Sequence, residues 1–256
     1  MLPSLLIPIA VVSWAQEGWT PPREPDVDRI FNEIRSDFKA GNYEVALQKH
    51  LWFHENALKH DRAMYGVRLS YALSEWIELG RAYPRALDAL KTIRDRDTSR
   101  LLAGTGDHQL FHDVSSINQY LGDSKDTAAL FLAIEKQNPK LAKEVYLIAQ
   151  PALIEGRHYT SCNPYLKPFM DLERATYLLK VNLEMAKDPQ FGPRHREFAM
   201  STYTNEVATL VALLIANKRG DEAREIVDRA LSHLDTPAFR ETLAAAQQGT
   251  MPTPRP

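Results

Sequence analysis

Apolar residues recur three and four positions apart along almost all of this 256-residue chain, and two-residue alternation is nearly absent. That spacing aligns side chains on one face of an α-helix and scatters them over both faces of a strand. Ile30, Ile34 and Phe38 form the first stripe, and Tyr43, Ala46, Leu47, His50 and Leu51 the second. Leu69, Ala72, Leu73, Trp76 and Ile77 form a third, and Tyr83, Ala86, Leu87, Leu90 and Ile93 a fourth. The pattern continues through Phe111–Leu121, Ala128–Ile134, Leu141–Ala152, Leu172–Leu183, Val207–Leu214, Ala223–Leu231 and Phe239–Ala246. The sequence therefore predicts an all-α protein of about eleven helices of ordinary length.

Short breaks separate the stripes. Gly41, Gly80, Gly122 and Gly220 each stand where a helix should end, with Gly156 as a further candidate. Pro84 falls in the first turn of its helix, and Pro139, Pro189 and Pro237 mark stops before the next one. Two stretches, residues 97–107 and 158–168, read as longer irregular loops. The alternating charges of Arg94, Asp95, Arg96 and Asp97 read as a solvated helix end, and Gly104-Thr105-Gly106 as a flexible connection.

The ends differ from the middle. Residues 2–15 are uncharged and apolar, too short for a membrane helix of roughly 20 residues, and close on Ser13-Trp14-Ala15. They read as a signal peptide cleaved before Gln16, which implies export to the periplasm or outside the cell and no stable membrane span afterwards. Residues 16–25 are a proline-rich linker, 26–246 the helical domain, and 247–256 a disordered tail. A net charge of −2 argues against a strongly basic nucleic-acid binder, and the single cysteine excludes a disulfide framework.

The glycine-marked turns lie 39, 42, 34 and 64 residues apart. Within these units, Gly41-Asn42-Tyr43-Glu44-Val45-Ala46-Leu47 and Tyr83-Pro84-Arg85-Ala86-Leu87 resemble the turn and second-helix start of a tetratricopeptide repeat (TPR). Gly122 with Thr127, Phe131, Ile134 and Pro139 resembles a third copy, and Gly220-Asp221-Glu222-Ala223 with Val227 and Ala230 a last one. The first unit departs from the family by lacking its Trp, Leu-Gly and Tyr pattern, and two spacings exceed the family's repeat of about 34 residues. The resemblance implies a divergent, right-handed α-solenoid of antiparallel helix pairs, similar to exported bacterial TPR-like proteins. It implies a non-enzymatic scaffold that holds a protein or peptide in a concave groove lined by first helices. Groove-facing candidates are Phe31 and Arg35, then Arg68, Tyr71, Glu75 and Glu78, then His112, Ser116 and Gln119. Ala46 and Ala86 should occupy close helix crossings.

Candidate chemistry is sparse. His50 with His54, and His108 with His112, share helix faces as metal ligands do, but no carboxylate converges on either pair in sequence. Cys162 stands near His158 and Asn163 without a recognisable triad. The expectation is a chain with no metal, cofactor or catalytic residue. A hydrolytic enzyme using the histidine pairs or the 158–168 loop is the alternative.

Overall fold

A computed structural model describes residues 18–254. The expected signal peptide, residues 1–15, lies outside them. Among the described residues the protein is all-helical, with 13 α-helices and two short 3-10 turns. The chain divides into two compact units, residues 1–91 and 92–256.

Unit 1 contains α1 (Val27–Ala40), α2 (Tyr43–His60), α3 (Tyr65–Leu69), α4 (Tyr71–Ala82) and the start of α5 (Pro84–Leu102), which straddles the boundary. Asp26 caps α1 by accepting from the Arg29 N–H at 3.0 Å. Gly41 ends it at φ 79°, a left-handed turn open to glycine, with the Gly41 and Asn42 amides donating to Phe38 and Asp37. Helices α1, α2 and α4 pack against one another in all three pairings. They enclose Ile34, Phe53, Ala57 and Ala72, with Trp76 sealed beside them at 1% exposure. Ala46 and Ala86 are wholly buried. The linker before α1 is held by Trp19, whose N–H donates to Gln48 Oε1 and whose ring meets Trp52 edge-on at 6.1 Å. Trp19, Trp52 and Trp76 all belong to this unit.

Gly80 corrects the reading of the sequence. It lies inside α4, buried, rather than at a helix end. A Cβ there would stand 3.0 Å from Leu87 Cβ and 3.3 Å from Leu87 N, so this glycine lets α4 and α5 cross closely. Gly80→Ala is expected to destabilise unit 1 by about 1–3 kcal/mol through overpacking. Gly66→Ala, helical with open space around it, should stabilise by up to about 1 kcal/mol. Urea melts of the two variants check this; the same sign for both would remove the close-approach explanation.

Unit 2 contains α6 (His108–Leu121), α7 (Ser124–Gln137), α8 (Pro139–Glu155), α9 (Tyr159–Cys162), α10 (Pro168–Met185), α11 (Gly192–Ala216), α12 (Gly220–Leu231) and α13 (Pro237–Gln247). Helices α6, α7 and α8 pack as one mutually touching trio, and α10, α11 and α12 as another, with α13 closing on α11 and α12. Every residue from Val207 to Leu214 on α11 is buried. That helix is apolar and long enough to cross a membrane by length and composition, but here the run forms the centre of the unit's core.

The count of 13 exceeds the expected eleven because α3 and α9 are too short to show a period. The loop expected over 97–107 shrinks to residues 103–107, since α5 runs on to Leu102 and closes at Gly104 (φ 76°). Asp97, expected at a solvated end, is 2% exposed and accepts from Arg96 and Arg100. The 158–168 stretch folds into α9 and a 3-10 turn, and Tyr165 stacks on Tyr146 at 4.6 Å. At two further helix ends the left-handed residue is Arg157 (φ 59°) or Lys218 (φ 60°), not the neighbouring Gly156 or Gly220. Residues beyond α13, expected as a disordered tail, make defined contacts: Met251 packs on the core, and the Thr253 carbonyl accepts from Asn205 Nδ2 at 3.0 Å.

Candidate functional site

The sequence-derived candidates separate into two groups. In unit 1, Phe31, Arg35 and Glu75 come together. Arg35 donates through Nε to Glu75 Oε1 at 3.0 Å, joining α1 to α4, and its guanidinium lies 5.8 Å from the Phe31 ring. Phe31 also packs on Phe53, with centroids 5.2 Å apart. Tyr71 and Glu78 are exposed. Arg68 does not join them. The helix breaks at Ser70 (φ −126°, ψ −87°), and Arg68, on α3, is 2% exposed and donates to the His54 carbonyl at 3.2 Å. The continuous helix expected from the Leu69 stripe would have kept it on the outer face.

The histidine pair of α2 points inward. His50 stacks on Trp76 at 5.0 Å, and His54 meets the same ring edge-on at 6.1 Å. Burial pushes the His50 imidazole down to about 3, with the neighbouring His54 adding to the effect. His108 and His112 lie with ring centroids 6.4 Å apart. Among the described residues no cluster of three or more His, Cys, Asp or Glu side chains is placed to hold a metal ion. Cys162 is buried, its thiol pushed up to about 11 by burial, and its Sγ lies 3.7 Å from the His158 carbonyl. A thiol held protonated in this way is a poor nucleophile.

Unit 2 gathers the remaining candidates into a cavity. His112, Ser116 and Gln119 of α6 line a space of about 470 Å³ together with Thr127 of α7 and Leu147 and Pro151 of α8. A second space of about 310 Å³ lies against the same two α8 residues and reaches Arg174 of α10 and Phe198, Asn205 and Glu206 of α11. Leu147, Pro151 and Pro254 border both, so the two spaces meet along one face of α8. Helical spacing explains that face: positions 147, 151 and 155 follow each other at four-residue steps, with 150 and 154 beside them.

The chemistry of this groove is mixed. Leu147 is 54% exposed, an apolar side chain held in the open. Pro151 sits inside α8 and has no N–H to donate to the Leu147 carbonyl four residues back, which frees that acceptor at the groove floor. Burial raises the Glu206 carboxyl above the usual range, against the pull of Arg174, whose Nη1 is 3.6 Å from Glu206 Oε2. Asp171, which lies outside the two spaces but adds to the rise at Glu206, is itself raised by burial, partly offset by the Lys167 N–H from which it accepts at 2.9 Å.

Of the sequence-derived residues, His112, Ser116 and Gln119 line this groove. Leu147, Arg174, Asn205, Glu206 and Pro254 were not singled out by sequence reasoning. Pro151, breaking the ladder within the Leu141–Ala152 stripe, was the available signal for α8. Comparison with protein families, curated proteins and solved structures finds no match for this chain.

Proposed function

We propose that this chain is a non-enzymatic interaction module of TPR-like helix pairs that binds an extended segment of a partner protein along α8 of unit 2. The observation that carries this reading is the pair of cavities meeting over exposed Leu147, with an apolar strip down the middle and hydrogen-bonding groups on both walls. An extended peptide needs that combination: an apolar anchor for a side chain, and dispersed donors and acceptors for its backbone. The TPR-like assignment is supported by the left-handed glycine turns at Gly41 and Gly122, the wholly buried Ala46 and Ala86, and the packing of α2, α6, α10 and α11 each on the two helices that follow it.

The test is selection of a displayed random-peptide library on the full chain. Selected peptides should lose about tenfold or more in affinity on Leu147→Glu and several-fold on Gln119→Ala, with the thermal midpoint unchanged. Both positions are exposed, so neither change removes core packing. Recovery of no peptide above background, or affinities indifferent to Leu147→Glu, would refute the groove as the binding site. Turnover of a model ester or phosphoester that disappears in Glu206→Gln would instead establish the hydrolytic alternative, now centred on the Arg174–Glu206 pair.

A further inference from the structure

The groove is not bare along its length. Helix α13 ends with Gly249 at φ 86°, and the Gly249 and Thr250 amides donate to Ala246 and Ala245. This left-handed turn redirects the chain, a position that favours glycine. The following residues, Thr250-Met251-Pro252-Thr253-Pro254, contain no helix. They are held at three successive points. Met251 packs against the core of unit 2. The Thr253 carbonyl accepts from Asn205 Nδ2 of α11 at 3.0 Å. Pro254 lies where the two cavities meet and borders both, beside Leu147 and Pro151.

We infer that the α8 groove recognises an extended, uncharged, proline-containing peptide segment, and that residues 250–254 are its resident occupant, displaced when a partner segment binds. This rests on the peptide-binding reading above and adds the kind of segment and a competitor for it. The recognition chemistry comes from the resident itself. Proline keeps a segment extended with little entropy left to lose on binding. The Asn205 amide reads a backbone carbonyl, which any such segment offers. The apolar strip of Leu147 and Pro151 receives a proline ring without requiring a charge.

A tethered occupant is present at an effective concentration in the millimolar range. A segment docked at that concentration must bind in trans with a dissociation constant of about a millimolar or tighter once the resident is released. It also reduces apparent affinity for any competing peptide by the fraction of chains whose groove is open.

The experiment uses the full chain and a full-length variant carrying Met251→Ser and Pro254→Ser, which loosens the resident without shortening the protein. Fluorescein-labelled Thr250-Met251-Pro252-Thr253-Pro254 peptide is titrated to several millimolar against each, with anisotropy as the readout. The peptide should bind the variant at least about twofold more tightly than the parent chain, the factor by which a resident docked at its own dissociation constant lowers apparent affinity, and Asn205→Ala introduced into the variant should weaken that binding several-fold. Equal affinity for parent and variant, or no binding to the variant, overturns the inference. The library-selected peptides separate this from the underlying reading. If they bind parent and variant alike through Leu147 while the tail peptide binds neither, groove binding stands and the resident-segment inference falls. If neither the selected peptides nor the tail peptide binds the variant, both fall.

Discussion

Trp76→Ala is expected to cost unit 1 about 3–5 kcal/mol, the largest effect of any single substitution considered for this chain. The indole is 1% exposed and fills the space between α2 and α4, with His50 stacked on one side and His54 against its edge. Its Nε1–H also donates to the Ala86 carbonyl at 2.8 Å, tying α4 to the first turn of α5. Truncation therefore removes packing on two faces and a buried hydrogen bond together. A loss of this size is a large share of what stabilises an ordinary domain, about 5–15 kcal/mol in total. Trp76→Phe keeps most of the ring area and loses the donor, so it should cost about 1–2 kcal/mol. Urea denaturation followed by far-ultraviolet circular dichroism measures both. A Trp76→Ala cost below about 1.5 kcal/mol would mean that the α2–α4 space collapses around the loss.

Acidification should weaken unit 1 well before its carboxylates titrate. His50 is 1% exposed, and neither ring nitrogen has a hydrogen-bond partner. Burial holds its folded value at about 3, far below the unfolded value of about 6.5. Between those two values the unfolded chain carries one proton more than the folded chain at this site. Stability from His50 is thus complete above pH 6.5 and falls as pH drops towards the folded value, by up to about 1.4 kcal/mol per unit. From pH 7 to 5 the expected loss is about 2 kcal/mol. The neighbouring His54 opposes a charge on His50 as well. His50→Phe should keep the ring stacked on Trp76, match or exceed the parent stability at pH 7, and abolish this part of the pH slope. Parallel urea midpoints for parent and variant between pH 7 and 5 would show that His50 does not titrate across unfolding.

Side-chain period and helix punctuation carried the fold class, because both are local. Ile30, Ile34 and Gly41 fix α1 and its end within fifteen residues of one another. Gly80 shows where locality stops: the letter is the same whether a glycine adopts positive φ or admits a neighbouring helix, and only the position of Leu87 distinguishes the two. Arg68 was misplaced because a single irregular residue, Ser70, rotates everything before it relative to the stripe that follows. The groove was half legible. His112, Ser116 and Gln119 share one helix face and were found together, whereas Leu147, Asn205 and Pro254 lie more than a hundred residues apart from first to last. Nothing in their spacing links them; packing of α6, α8 and α11 does.

The distribution of indoles makes the chain self-labelled. All four tryptophans fall at or before position 76, so unit 2 contains none. Intrinsic fluorescence excited at 295 nm therefore watches unit 1 alone, while the ellipticity at 222 nm averages over both units. Superimposable melting curves by the two probes would mean that the units unfold as one cooperative species, and a gap between them would give the stability of each without any introduced dye.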